Sequence, residues 1–145
     1  MEHFSSQCAS FNFRKVARVV TQLFDNALQP TGIRSTQLVI LLAAGINENS
    51  TMSELADVVV ADRTTLTRAL KPLFSKGYLK NIPGKDKRKT SVALTDKGHQ
   101  IILKSVPYWT KAQKHVVDNF GANNWENLRV KLDKMCSAVK KTRQF

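Results

Sequence analysis

Apolar residues recur at helical spacing along most of the chain, and the breaks in that pattern divide it into six predicted helices and one hairpin. From Phe11 to Leu28 the positions Val16, Val20, Leu23 and Ala27 follow the helical repeat, and "PTG" at 30–32 ends the segment because proline and glycine break a helix. A second helix is predicted from Ser35, read as its N-cap, to about Gly45. "TMSE" at 51–54 reads as a capping box, in which the Thr51 hydroxyl and the Glu54 carboxylate each satisfy an orphan amide. A short third helix follows through Leu55 and Val58. A fourth starts after Asp62, a good N-cap, and stops at "SKG", where Gly77 terminates it.

Two short helices joined by a tight turn make a helix-turn-helix. The turn "VVVAD" at 58–62 lacks the glycine such turns often contain. A non-glycine residue at positive φ costs about 1 kcal/mol, so the turn either avoids that conformation or tolerates strain. Plotted at about 100° per residue, Leu66, Ala69, Leu70 and Leu73 share one arc of the fourth helix. Thr64, Arg68, Lys71 and Ser75 cluster opposite, flanked by Arg63 and Thr67, and Thr65 is counted with them as a DNA-contacting candidate. One face is core, and the other offers hydroxyls and cations with no acid. Those side chains reach phosphates, guanine edges and thymine methyls in a major groove. Pro72 removes one intrahelical hydrogen bond, so a bend is expected near Arg68–Lys71.

"YLKNI" and "TSVAL" are strand-like and are separated by "PGKDKRK", whose Pro83 and Gly84 mark a turn. A hairpin after a helix-turn-helix, with cations at its tip, is a wing. The helix enters the major groove while the hairpin reaches the neighbouring minor groove, whose negative potential draws in arginine. Arg88 is the expected inserted residue, and Lys85, Lys87 and Lys89 would neutralise phosphates around it. Asp86, the one acid there, is assigned an orienting role, fixing Arg88 or capping the loop backbone.

Thr95, as N-cap, and Gly98 open a long helix in which Ile101 or Ile102, Ser105, Trp109, Ala112, Val116 and Phe120 keep helical spacing around Pro107. After "GANN", a last helix shows Trp125, Leu128, Leu132, Met135 and Val139. Both ends of the chain have little globule of their own to pack against, and a core shared between two chains is the economical solution. The expected fold class is therefore mainly α with a small β-hairpin, a single domain over residues 1–145. Within it, residues 33–98 form a winged helix-turn-helix lobe, and residues 1–32 and 99–145 form a helical dimerisation region.

Charge sharpens this picture. The 145 residues carry a net +12, and residues 63–97 alone hold ten cations against two anions, a local +8. That placement implies a polyanionic partner, double-stranded DNA. Arg14, Lys15, Arg18 and Asp25 interrupt the first apolar segment, so it does not resemble a signal peptide. No apolar run nears the roughly 20 residues needed to span a bilayer, so no membrane partner is expected and the location is read as cytoplasmic. Cys8 and Cys136 lie far apart with no CxxC, which indicates neither a disulfide framework nor a zinc module. No metal and no cofactor are expected. His3, His99 and His115 are scattered, and none of the common catalytic or phosphate-cradling motifs occurs, which argues against an enzyme.

"DKRKTSVALTDKG" fits the pattern DxRxxxVxLTxxG at Asp86, Arg88, Val92, Leu94, Thr95 and Gly98, and "ELADVVVADRTTLTRAL" precedes it in the right order. In both stretches the chain resembles the multiple-antibiotic-resistance regulator (MarR) family of bacterial transcription factors. The resemblance implies a homodimer with one winged helix-turn-helix per subunit, joined through terminal helices and acting as a repressor on a pseudo-palindromic operator. It also implies release by a small molecule or an oxidant. A small aromatic effector would sit in a cleft between the dimer helices and the DNA-binding lobe, touching Phe13, Tyr108 or Trp109. Some relatives sense peroxide through a cysteine near the start of the first helix, where Cys8 lies; an inert side chain there is the simpler reading. Cys136 falls in the last apolar stripe and reads as packing. The alternative function is an architectural protein that binds DNA without sequence preference and without an effector. A winged helix used only for protein contacts is opposed by the acid-free helix face.

Overall fold

A computed structural model of the chain describes residues 6–46, 50–83 and 90–141. Packing divides the chain into two units, Met1–Trp109 and Thr110–Phe145. The first contains α1 (Ala9–Leu28), a single 3-10 turn (Gln29–Thr31), α2 (Ser35–Ile46), β1 (Ser50–Thr51) and α3 (Met52–Val59). It continues through α4 (Arg63–Ser75), β2 (Leu79–Pro83), β3 (Thr90–Leu94) and the opening turns of α5 (Asp96–Phe120). The rest of α5 and α6 (Ala122–Lys141) make up the second unit. The fold is a helical one with a small antiparallel sheet, as the hydrophobic pattern predicts. Among the described residues, no helix is long and apolar enough to cross a membrane.

The core forms around α2, whose residues Leu38, Ile40, Leu41, Ala43 and Ala44 are all buried. A helix apolar nearly all round has to be covered on several sides. Leu28, Leu55, Leu66, Leu70, Leu73, Leu79 and Val92 converge on it from α1, α3, α4 and the sheet. α1 ends where the pattern places its stop: Thr31 Oγ1 donates to the Leu28 carbonyl, and Gly32 takes a left-handed φ of 70°.

Ser35 is not the N-cap of α2. Asp25 accepts both its amide and its hydroxyl, so the Ser35 oxygen faces α1 instead of the helix amides. The first α-helical bond runs from the Leu38 amide to the Arg34 carbonyl, and the Gln37 side chain accepts from the Arg34 amide. The cap is therefore one residue earlier.

The sheet has three strands in the order β1-β3-β2, so β3 lies in the middle. The register pairs Leu79 with Leu94 and Pro83 with Thr90, and on the other side Ser50 with Val92. β1 is absent from the sequence expectations, because two residues cannot show a period. Thr95 and Gly98 lock the hairpin to α5. Thr95 Oγ1 donates to the Gly77 carbonyl at 2.6 Å while accepting from the Gly98 amide at 3.0 Å, which makes Thr95 the cap the pattern predicts. A Cβ at position 98 would overlap the Tyr78 carbonyl oxygen, so only glycine fits.

In the second unit, Gly121 turns the chain at φ 91° before α6. Its ion pairs, Lys114–Asp118 and Arg129 with Glu126 and Asp133, are exposed and add little stability. Cys136 is exposed within the single chain, so it does not pack there, and Val130, Met135 and Val139 of the same helix are exposed with it.

Candidate nucleic-acid interface

The helix-turn-helix is built from caps that its sequence encodes. The Thr51 amide donates to Glu54 Oε2 at 2.7 Å and the Glu54 amide returns a bond to Thr51 Oγ1, the full capping box at the start of α3. The turn resolves in favour of strain. Val60 adopts φ 53°, the one non-glycine residue with positive φ among those described. Asp62 then caps α4 by accepting from the Thr65 amide at 2.9 Å. The Thr65 hydroxyl bond, followed by the amide bond, holds the Asp62 carboxyl below the usual carboxylate range.

α4 terminates in a Schellman motif: Gly77 is left-handed, its amide bonds the Phe74 carbonyl, and the Tyr78 amide bonds that of Leu73. Pro72 sits inside a helix that still runs to Ser75.

Leu66, Leu70 and Leu73 anchor α4 to the core at 2 % exposure or less, which fixes the rotation of the helix. Arg63, Thr64, Thr65, Thr67, Arg68 and Lys71 are all exposed as a result, the arrangement the helical plot predicts. Two of the three hydroxyls are already engaged: Thr67 Oγ1 donates to the Arg63 carbonyl at 2.7 Å, and Thr65 Oγ1 to Asp62 Oδ2.

β2 and β3 are the two sides of the wing, paired from Leu79 and Leu94 to Pro83 and Thr90. Lys85, Asp86, Lys87, Arg88 and Lys89 lie outside the described residues. Lys80, exposed on β2, is a further cation on the hairpin that spacing alone did not single out. Lys97 places its ammonium 5.5 Å from the Tyr78 ring centroid. Lys76 Nζ donates to the Gly32 carbonyl at 3.0 Å, tying the end of α4 to the turn after α1. Both partners are legible only in three dimensions.

An apolar cleft of about 270 Å³ lies within the first unit, lined by residues of α1 and α2, among them Val20, Phe24, Ser35, Val39 and Leu42, together with Trp109. The Phe24 and Trp109 rings stand 6.4 Å apart. Of the three aromatic residues expected at an effector cleft, Trp109 lines this one. Tyr108 packs against the core, and Phe13 is exposed on α1. Cys8 is half-buried at the N-cap position of α1, where its side chain makes no capping bond.

These features define a winged helix-turn-helix DNA-binding fold, and comparison with known proteins agrees. Residues 35–98 match the winged helix DNA-binding domain family. The chain is 34% identical to the M. tuberculosis transcriptional regulator MosR, crystallised in complex with DNA. That alignment covers 94% of this chain and 99% of MosR with a TM-score of 0.85. A mutant of E. coli MarR complexed with operator DNA is 27% identical over 85% of this chain and 89% of its own, with a TM-score of 0.78. The HTH-type transcriptional regulator SarZ of Staphylococcus saprophyticus is 32% identical over 92 residues, 63% of each chain, so the match spans a little under two thirds of that regulator. The chain belongs to the MarR family of DNA-binding transcriptional regulators, whose fold is not that of an enzyme.

Proposed function

We propose that the protein is a homodimeric repressor that binds a pseudo-palindromic operator and is released by a small ligand or an oxidant. The observation that carries this reading is the outward face of α4, where Arg63, Thr64, Arg68 and Lys71 stand exposed and no acid joins them. Such a face suits a major groove. The wing residues Lys85, Lys87, Arg88 and Lys89, with Asp86 orienting Arg88, supply phosphate and minor-groove contacts. Residues 33–98 are the DNA-binding lobe in this reading. The DNA in the MosR and E. coli MarR crystals supports it.

Dimerisation rests on what the terminal helices leave uncovered. α1 buries Leu28 alone among its 20 residues, while Phe11, Phe13, Val16 and Val19 are exposed. On α6, Val130, Met135 and Val139 are exposed too. A second copy of residues 1–32 and 99–145 would cover these surfaces. The cleft at Trp109 is the effector site in this reading, and its apolar lining suits a small aromatic molecule. Such a ligand acts only by preferring the arrangement that does not bind DNA. Cys8 is the candidate for an oxidant signal, and a cytoplasmic location goes with a DNA partner.

Titration of variants against a selected site and a random duplex at several salt concentrations tests the reading. Arg68→Ala should lose a base contact worth roughly 1–3 kcal/mol and with it discrimination between the two duplexes. Lys87→Ala should weaken both alike and flatten the plot of log affinity against log salt by about one unit per lost phosphate contact. If Arg68→Ala binds both duplexes as the parent does and the slope of Lys87→Ala is unchanged, the assignment is wrong. Equal affinity of the parent for both duplexes would instead indicate an architectural protein.

A further inference from the structure

The three threonines near the start of α4 differ in what their hydroxyls can still do. Thr67 Oγ1 lies 2.7 Å from the Arg63 carbonyl oxygen, and since a carbonyl has no proton to give, the hydroxyl is the donor. Thr65 Oγ1 donates in the same way to the Asp62 carboxylate. Both oxygens keep lone pairs but have no proton left to offer. The Thr64 hydroxyl, exposed one residue into the helix, has no hydrogen-bond partner among the described residues and remains able both to donate and to accept.

We propose that this fixes part of the hydrogen-bond code of the helix: Thr67 selects a base that presents an amino group, adenine or cytosine, over the keto bases guanine and thymine, and hydroxyl contacts to phosphate fall to Thr64. The inference rests on the proposal that this face meets DNA. In the major groove adenine offers its N6 amino group and cytosine its N4 amino group as donors, whereas guanine O6 and thymine O4 are acceptors. An acceptor-only hydroxyl set against a keto oxygen or a phosphate opposes lone pair to lone pair. To donate instead, Thr67 would have to leave the Arg63 carbonyl, and that bond is the local back-bond a threonine in a helix readily makes. Thr65 has the same polarity, but its place beside the Asp62 carboxylate turns it away from phosphates. Thr67 is therefore the residue to test.

Selection of the full-length protein against a duplex library with a randomised core defines the preferred half-site. Each adenine or cytosine in it is then replaced in turn by a base lacking the amino group, purine for adenine and 2-pyrimidinone for cytosine. At one position per half-site the replacement should weaken the parent by about 2- to 10-fold, the factor one neutral hydrogen bond supplies. The same replacement should leave Thr67→Val unaffected, because that variant has already lost the contact. Thr67→Ser keeps the hydroxyl and should respond as the parent does. Thr67 is exposed, so an unchanged melting temperature confirms that each variant folds.

If no amino-group loss depends on Thr67, or if Thr67→Ser behaves as valine does, while Arg68→Ala still weakens binding, the code is wrong and the DNA-facing reading survives. If neither Arg68→Ala nor Thr67→Val changes affinity for any duplex, the DNA-facing reading fails and the code falls with it.

Discussion

Asp25 Oδ1 accepts two hydrogen bonds from Ser35, one from its amide and one from its hydroxyl, each 2.7 Å long. This pair fastens α1 to the first turn of α2, the helix at the centre of the core. Ser35 also lines the apolar cleft, so anything seated there touches the residue that holds the two helices together. Asp25→Ala leaves a half-buried amide and hydroxyl without an acceptor, and the expected loss is about 1–3 kcal/mol in denaturant unfolding. Asp25→Asn keeps one acceptor oxygen and should lose less. Equal stability of the alanine variant and the parent would mean that water replaces the carboxylate at no cost.

Val60 holds a left-handed conformation, which is unfavourable for a β-branched residue, and the residue is 64% exposed, so it recovers little by packing. Relief of that strain, about 1–2 kcal/mol, outweighs the extra unfolded-state freedom of glycine, about 0.5–1 kcal/mol. Val60→Gly should therefore raise the unfolding free energy by roughly 0.5–1 kcal/mol, measured by urea denaturation. A loss of stability would show that the valine side chain makes a contribution its exposure conceals.

Much of this was legible in the sequence, because local chemistry decides it. The capping box at Thr51 and Glu54, the cap at Asp62 and the stop at Gly77 depend on residues a few positions apart, and all three form as the pattern predicts. The buried side of α4 follows from its period, and its exposed side from the absence of any alternative. Ser35 failed as a predicted cap because its partner lies ten residues upstream, on another helix. β1 escaped because its pairing with β3 is long-range, and the place of Trp109 in the cleft depends on how α1 meets α2. Apolar spacing around Cys136 does not say which surface covers it, and within one chain it is exposed.

Gly98 lies where the first turn of α5 crosses the end of the Schellman motif at Tyr78. An added methyl group would overlap a backbone carbonyl, which has little freedom to yield. Gly98→Ala should destabilise by roughly 1–3 kcal/mol, as overpacking does in a filled interior. The same movement should disturb Thr95, which bonds both the Gly77 carbonyl and the Gly98 amide. Urea denaturation measures the first effect. Amide exchange at Gly98 measures the second, since its protection depends on the Thr95 oxygen. A variant as stable as the parent would indicate that α5 can shift away from the hairpin at little expense.

Asp62 gives stability a defined dependence on pH. Its carboxyl is held below the usual carboxylate range, first by the Thr65 hydroxyl and then by the Thr65 amide, and these bonds exist only when α4 is folded. The folded state therefore binds the proton less readily than the unfolded chain. The stability from this cap is complete well above pH 4 and is lost as the pH falls through the folded value, below about 4. Asp62→Asn retains a capping oxygen but does not titrate. Melting curves of the two proteins across this range should run parallel near neutrality. Below about pH 4 the parent should fall faster, because only the parent loses its cap there. Asp62→Ala, which lacks any cap, should melt lower than both near neutrality, and the parent should approach it in acid. The exposed Glu126, lowered by its bond to Arg129, shifts in the same direction in all three proteins and so cancels from the comparison. A constant gap between parent and Asp62→Asn down to pH 2.5, against the window about 4 set by an ordinary carboxyl, would mean that Asp62 does not cap α4 through its charge.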